Sequence, residues 1–83
     1  MSVGFHMGKA EPGSALAYSR MAAHAAFDPI WKEGHMPRRD AYGWLAEQLG
    51  ITRGECHMLH FDERTCRKVV LLADQFMFAR VAS

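Results

Sequence analysis

The sequence predicts an all-α fold of four to five short helices, with a helix-turn-helix-like corner and an irregular N-terminal arm. First, apolar residues repeat at spacings of three and four towards the C-terminus, as they do on one face of a helix. Second, residues typical of helix ends, among them Ser14, Gly50 and Asp62, divide the chain into short segments. A chain of 83 residues, 49% of them hydrophobic, fits one small domain over residues 1–83.

The N-terminal segment 1–13 contains three glycines and a proline, which predicts an irregular arm with a short strand at residues 2–7. Ser14 is a favoured helix N-cap, and residues 15–27 are rich in alanine, so we expect the first helix there. The inward side of this helix is predicted to hold Leu16, Met21 and Phe27.

Asp28 and Pro29 should end the first helix, because proline disfavours helical geometry in the residue before it, and they can begin one further turn. The next helix is expected over residues 37–49, opened by its proline. Gly50 then suits the left-handed position that ends a helix, and Ile51 supplies the apolar contact that often accompanies it.

Thr52 and Glu55 have the spacing of a capping box, which predicts a third helix over residues 53–59. Asp62 is the expected N-cap of the last helix, which carries the most regular apolar stripe of the chain. Together these segments predict a core made of Leu16, Phe27, Ile30, Trp31, Tyr42, Leu45, Leu49, Ile51, Cys56, Phe61, Cys66, Val69, Val70, Ala73 and Phe76.

Composition narrows the function classes. A net charge of +1 argues against a highly charged nucleic-acid mimic and equally against a strongly basic nucleic-acid coat. No apolar run reaches the roughly 18 residues that cross a bilayer, and the N-terminus lacks the pattern of a signal peptide. Cys56 and Cys66 fit reduced thiols better than a disulfide framework. We therefore expect a cytoplasmic protein without a membrane partner.

The segment LAEQLGITRGECHML, residues 45–59, resembles the helix-turn-helix motif of bacterial regulators. Ala46 is small where the two helices would cross, Gly50 tolerates the turn, and Thr52 would cap the second helix. The exposed residues of that second helix would be Arg53, Gly54, Glu55, His57 and His60. One arginine and one glutamate are a poor set for reading bases or holding phosphates, so DNA binding is the alternative function.

Cys56, His57, His60 and Cys66 carry zinc-ligand side chains but lack the paired spacing of a zinc site, such as C-x₂-C. Adjacent residues point about 100° apart on a helix, and Cys66 belongs to the apolar stripe. We therefore expect no metal site and no cofactor. Glu55, Cys56 and His57 would not face each other as nucleophile and base, so an enzyme is not expected.

Four blocks, VGFHMG, AHAAFDPIW, AYGWLAEQLGI and ECHMLHFDERTC, follow one another over roughly residues 3–70. They resemble the C-terminal part of an uncharacterised zinc-finger-containing family found in phages, prophages and other bacterial mobile elements. Members of that family carry an N-terminal zinc ribbon with paired CxxC motifs, whereas this chain has no CxxC motif and has Phe5 where the family has a cysteine. The matching positions Cys56, His57 and Cys66 leave a residual metal role open. The resemblance implies a mobile-element origin.

Small proteins of mobile elements commonly bind host proteins, and inhibitors of host defence are one such class. The chain is also rich in aromatic and methionine side chains, which are enriched at protein interfaces. Leu72 and Phe78 lie off the stripe of the last helix. With Phe76 and Met77 they are expected to form an apolar patch, suited to a partner or a homodimer through that helix.

We therefore expect a non-enzymatic protein-binding module of a mobile element, with a steric inhibitor of a host defence complex, such as a CRISPR effector, as its leading form. The alternative is a small helix-turn-helix DNA-binding protein, followed by a metal-stabilised remnant of the zinc-finger family. The partner-binding face is predicted to use Arg38, Arg39, Arg53, His57, His60 and Arg64.

Overall fold

The computed structural model describes residues 10–82, and helices make up about three quarters of them. The elements are α1 (Ala15–Phe27), α2 (Pro29–Lys32), α3 (Arg38–Leu49), a 3₁₀ turn (Arg53–Glu55), a second 3₁₀ turn (Met58–His60) and α4 (Glu63–Ala82). The described residues contain no β-strand, and the strand predicted at residues 2–7 lies outside them. The all-α prediction is confirmed, although α2 is a single turn and only three helices of residues 10–82 are longer than that.

The predicted starts of α1 and α4 are confirmed by their caps. The Ser14 hydroxyl accepts a hydrogen bond from the Ala17 N–H at 3.1 Å. Asp62 Oδ1 accepts one from the Thr65 N–H at 2.8 Å. Hydrogen bonds from Thr65 lower the pKa of the Asp62 carboxyl, because they stabilise its ionised form. Both caps therefore satisfy backbone donors that the helix itself leaves unpaired.

The predicted end of α3 is also confirmed. Gly50 has a φ of 71°, in the left-handed region that side chains with a Cβ rarely adopt. Its N–H donates to the Glu47 carbonyl at 3.2 Å, and the Ile51 N–H donates to the Ala46 carbonyl at 3.0 Å. Ile51 is half-buried against the core. The chain thus reverses sharply after Leu49.

The helix predicted over residues 53–59 is wrong. Thr52 and Glu55 do form the capping box, but the turn that they cap ends at Glu55. His57 is extended, with φ −131° and ψ 122°. Cys56 and Met58 are buried while His57 between them is exposed. This alternation has the period of extended backbone, and a continuous helix would not bury both flanking side chains on one side.

The inward side of α1 also differs from the prediction. Its buried residues are Arg20, Ala23 and Phe27, whereas Met21 is 66% exposed and Leu16 is half-buried. Arg20, Ala23 and Phe27 are three and four residues apart, so they lie on one face of α1. Arg20 therefore occupies the inward position that the apolar pattern of the sequence assigns to Met21. Most other predicted core residues are buried, and the half-buried ones are Trp31, Ile51, Val70 and Phe76.

Arg20 joins α1 to the segment before α4. It is 4% exposed, and its Nε donates to the Phe61 carbonyl at 3.1 Å. The Cys66 thiol also approaches that carbonyl, at 3.9 Å. The packing of α1 against α4 is the most extensive between helices of the described residues. None of those helices is long and apolar enough to cross a membrane.

Replacing Arg20 with methionine should lower the free energy of unfolding by about 1–3 kcal/mol, because the buried Phe61 carbonyl would lose the Nε–H donor that lies 3.1 Å from it. Urea denaturation measures the change. Arg39→Met is the matched control, since the Arg39 side chain is 89% exposed, and should change stability by less than about 0.5 kcal/mol. Equal stability of the two variants would contradict the role given to Arg20.

Two glycine-to-alanine substitutions in and after α3 should have opposite effects. Gly50→Ala should destabilise the protein by about 1 kcal/mol, because alanine is strained at a φ of 71°. Gly43→Ala should stabilise it by about 0.5–1 kcal/mol, because Gly43 lies within α3 and an added Cβ meets no atom within 4 Å. Thermal unfolding of both variants checks the signs, and a shared sign would contradict the described end of α3.

Candidate functional site

A groove of about 550 Å³ lies between α1, the start of α3 and the two 3₁₀ turns. We call it the cationic groove. It brings together four of the six residues predicted to bind a partner, namely Arg38, Arg53, His57 and His60. No carboxylate lines it among the described residues. The described residues that line it are His24, Arg38, Tyr42, Arg53, Cys56, His57, Met58, Leu59 and His60.

Tyr42 holds the two arginines of the cationic groove in place. The guanidinium carbon of Arg53 lies 4.7 Å from the centre of the Tyr42 ring, and that of Arg38 lies 5.3 Å from it. The ring is itself fixed by an edge contact with Phe27, at 4.8 Å between ring centres. Within residues 10–82, neither Arg38 nor Arg53 forms an ion pair with a carboxylate. Both exposed guanidiniums can therefore meet an anionic ligand.

Local structure explains how these side chains meet. Arg38 and Tyr42 are four residues apart in α3, so they lie on one face of the helix. The reversal at Gly50 returns the chain and places Arg53 against the same ring. The second 3₁₀ turn then brings the His57 and His60 rings edge to face, with 5.2 Å between their centres. The cationic groove thus depends on the chain reversal at Gly50, because Arg38 precedes this reversal in the chain and Arg53 follows it.

Arg39 and Arg64, the other two predicted partner-binding residues, lie elsewhere. The Nε of Arg39 is 3.6 Å from Asp40 Oδ1, and its side chain projects into solvent. Arg64 lines a separate groove with Leu16, Asp62, Glu63 and Arg67. Because the predicted helix over 53–59 does not form, Arg53, His57 and His60 are not displayed along one helix either. Four of the six predicted residues therefore meet in the cationic groove and not along one face of a helix.

The sequence analysis did not predict the apolar surface that adjoins the cationic groove. A second groove, of about 540 Å³, shares His24, Leu59 and His60 with the cationic groove, and we call it the apolar groove. Met21 and Leu59 are 66% and 63% exposed there. The remaining lining residues are Ala10, Ala17 and Arg20. The apolar pattern of the sequence predicts a buried Met21. Met21 is exposed because α1 packs through Arg20, Ala23 and Phe27 instead.

The apolar patch predicted on the last helix has different members. Leu72, Phe76 and Met77 pack against the core, with the Phe76 ring 5.3 Å from that of Trp44. Phe78 is exposed as expected, and it is accompanied on α4 by the exposed residues Leu71 and Val81. The homodimer through this helix stays a prediction.

Cys56 and Cys66 are both buried and form no disulfide. Burial raises the pKa of the Cys56 thiol to about 11, partly offset by the nearby charge of Arg53. Burial likewise raises the pKa of the Cys66 thiol. The thiolate is the nucleophile and the metal ligand, so both sulfurs are kept in their unreactive form at neutral pH.

The raised pKa of Cys56 predicts a loss of stability in alkali. As pH rises past the ordinary thiol value of 9.0, the unfolded chain releases the proton that the folded chain retains to about 11. The free energy of unfolding should therefore fall over this interval. Urea denaturation at several pH values measures how steeply the free energy of unfolding falls with pH. The Cys56→Ala variant should show a shallower fall, and the difference between the two proteins removes the contribution of the groups that they share. An unchanged slope in the variant would contradict the assignment.

One comparison with known proteins identifies a family: a model described as a zinc-finger-containing domain matches residues 1–76. No curated protein and no solved structure matches the chain. Structural zinc needs about four ligands, and residues 10–82 bring no three histidine, cysteine or carboxylate side chains together to hold a metal. The described residues therefore do not fit a zinc site. Because the match covers most of its length, the chain belongs to the zinc-finger-containing domain family.

Proposed function

We propose that the protein is a non-enzymatic protein-binding module of a phage or other mobile element, and that it acts as a steric inhibitor of a host defence complex, such as a CRISPR effector. The observation that carries the binding role is the pair of guanidiniums, Arg38 and Arg53, that lie near Tyr42 in the cationic groove and form no ion pair within residues 10–82. The proposal places the protein in the cytoplasm, where such complexes act.

The cationic groove is prepared to bind an anionic surface. The cation–ring contacts with Tyr42 position Arg38 and Arg53 before any partner arrives, which reduces the side-chain entropy lost on binding. Arginine is favoured at interfaces because its planar donors match a carboxylate in two places. An acidic surface of a host protein would therefore find both its charge and its geometry met. Covering that surface would block what normally docks there.

A protein partner suits the groove better than duplex DNA does. Proteins that hold DNA through its backbone typically contact about 6–10 phosphates. The cationic groove offers two arginines, and no continuous helix spans residues 53–59 to enter a major groove. Tyr42 is only 8% exposed, so its ring is not available to stack on a base.

The alternative remains a small DNA-binding protein, now without a helix-turn-helix reader of the ordinary form. The exposed arginines Arg39, Arg64 and Arg67, which lie outside the cationic groove, would add phosphate contacts. Such binding would weaken steeply as salt rises, because each phosphate contact releases counterions. Titrating labelled duplex DNA at two salt concentrations separates this alternative from the leading proposal.

The leading proposal predicts that the tagged chain captures a stoichiometric defence complex from nuclease-treated lysate of a bacterial host. The double variant Arg38→Glu, Arg53→Glu should lose the complex, because like charges would then oppose its acidic surface. Arg39→Glu is the matched control and should keep it, since Arg39 lies outside the groove. Mass spectrometry of the eluates is the readout.

Circular dichroism shows whether the double variant is still folded, and Arg38→Gln with Arg53→Gln removes the charges without reversing them. Capture by the folded double variant at the parental level would overturn the assignment of the groove. Recovery of nuclease-sensitive DNA-associated material alone would overturn the protein-binding role and favour the alternative.

A further inference from the structure

We propose that the cationic and apolar grooves together hold one segment of the partner protein: an acidic segment with adjacent apolar anchors. Its carboxylates would pair with Arg38 and Arg53, and its apolar side chains would lie against Met21 and Leu59. This inference rests on the proposed function, because it names the chemistry of the partner at the same surface.

The two grooves lie side by side. His24, Leu59 and His60 line both of them, so a segment bound in one groove also contacts residues of the other. Their volumes are similar, about 540 and 550 Å³. The second 3₁₀ turn, which carries Leu59 and His60, therefore lies where the two grooves meet. We expect one partner segment to contact both grooves across this turn.

The apolar groove offers anchors and little to compete for them. Met21 and Leu59 expose about two thirds of their surface, and covering long apolar side chains is favourable. Methionine also adapts its shape to a partner. The charged residue of this groove, Arg20, already donates to the Phe61 carbonyl inside the fold. The groove therefore selects apolar side chains.

The cationic groove selects carboxylates at the other end. The guanidinium carbons of Arg38 and Arg53 lie 5.3 and 4.7 Å from the centre of the Tyr42 ring, a contact that uses no N–H···O hydrogen bond and leaves guanidinium donors for an anion. No acidic side chain lines the groove to compete for them among residues 10–82. A basic partner would meet two like charges, and a purely apolar one would leave both charges desolvated. Charge complementarity thus specifies an acidic segment.

The test is selection of a displayed random-peptide library on the full chain, which requires no knowledge of the natural partner. Enriched peptides should combine aspartate or glutamate with neighbouring large apolar residues. The variant Arg38→Glu, Arg53→Glu should enrich lysine and arginine in their place. A misfolded protein would not show such a reversal, so the readout is specific to the groove.

The apolar anchors are tested with synthetic copies of the enriched peptides. Leu59→Glu and Met21→Glu should each weaken binding about tenfold or more, since a charge would replace an apolar contact. Leu71→Glu is the matched control, because Leu71 is similarly exposed on α4 and lies outside both grooves. It should bind as the parent does.

The inference is overturned if no peptide is enriched, if enriched peptides lack acidic residues, or if they bind the charge-reversed variant equally well. Displacement of the peptides by an unstructured oligonucleotide, but not by free glutamate-rich peptide, would identify a nucleic acid as the occupant instead. One result distinguishes the failure of this inference from the failure of the proposed function. A defence complex captured equally by the parent and Leu59→Glu would leave that function standing while removing the apolar anchor.

Discussion

Arg20 is the charged side chain that the described part of the chain buries, and the arrangement of the other elements follows from how it is satisfied. An unpaired guanidinium in an apolar core is very unfavourable, so its donors need acceptors within the fold. The Phe61 carbonyl supplies one, at 3.1 Å from Nε. This hydrogen bond holds the segment before α4 against α1. It also explains why Phe61 can be completely buried although it belongs to no helix.

The segment before α4 also borders both grooves of the candidate site. With Phe61 held against α1, the preceding turn places Leu59 and His60 beside Met21 and His24, which builds the apolar groove. The same turn borders Arg38, Tyr42 and Arg53 on its other side. The core and the surface thus both involve one segment outside the α-helices, residues 56–61. Cys56, Met58 and Phe61 of this segment are buried, and its exposed residues His57, Leu59 and His60 line the cationic groove.

Membership of a zinc-finger-containing family and the absence of a metal cluster within residues 10–82 are compatible on physical grounds. Zinc stabilises small domains that cannot bury enough apolar surface alone. Here the described helices bury an apolar core that includes Phe27, Phe61 and Ile30, and both cysteines contribute to it as protonated thiols. Cys56 and Cys66 act in this part of the chain as small apolar side chains.

Local sequence determined the caps and breaks of this protein. Ser14, Gly50 and Asp62 act through hydrogen bonds or dihedral angles within a few residues, so their effects could be predicted without knowing the fold. The all-α class and most of the core follow from the same short-range patterns. Local spacing also places Arg38 near Tyr42, since the two residues are four apart on one face of α3.

Tertiary structure decided what lies between those signals. Residues 53–59 carry a good capping box, yet burial of both Cys56 and Met58 requires extended backbone between them, and no local propensity reports that need. The exchange of Met21 for Arg20 on the inward side of α1 depends on a carbonyl 41 residues away. The spacing of apolar residues predicts an exposed arginine, because it does not include the distant acceptor, the Phe61 carbonyl. This hydrogen bond joins positions 41 residues apart, so local sequence patterns could predict neither the buried Arg20 nor the placement of the segment that borders the candidate site.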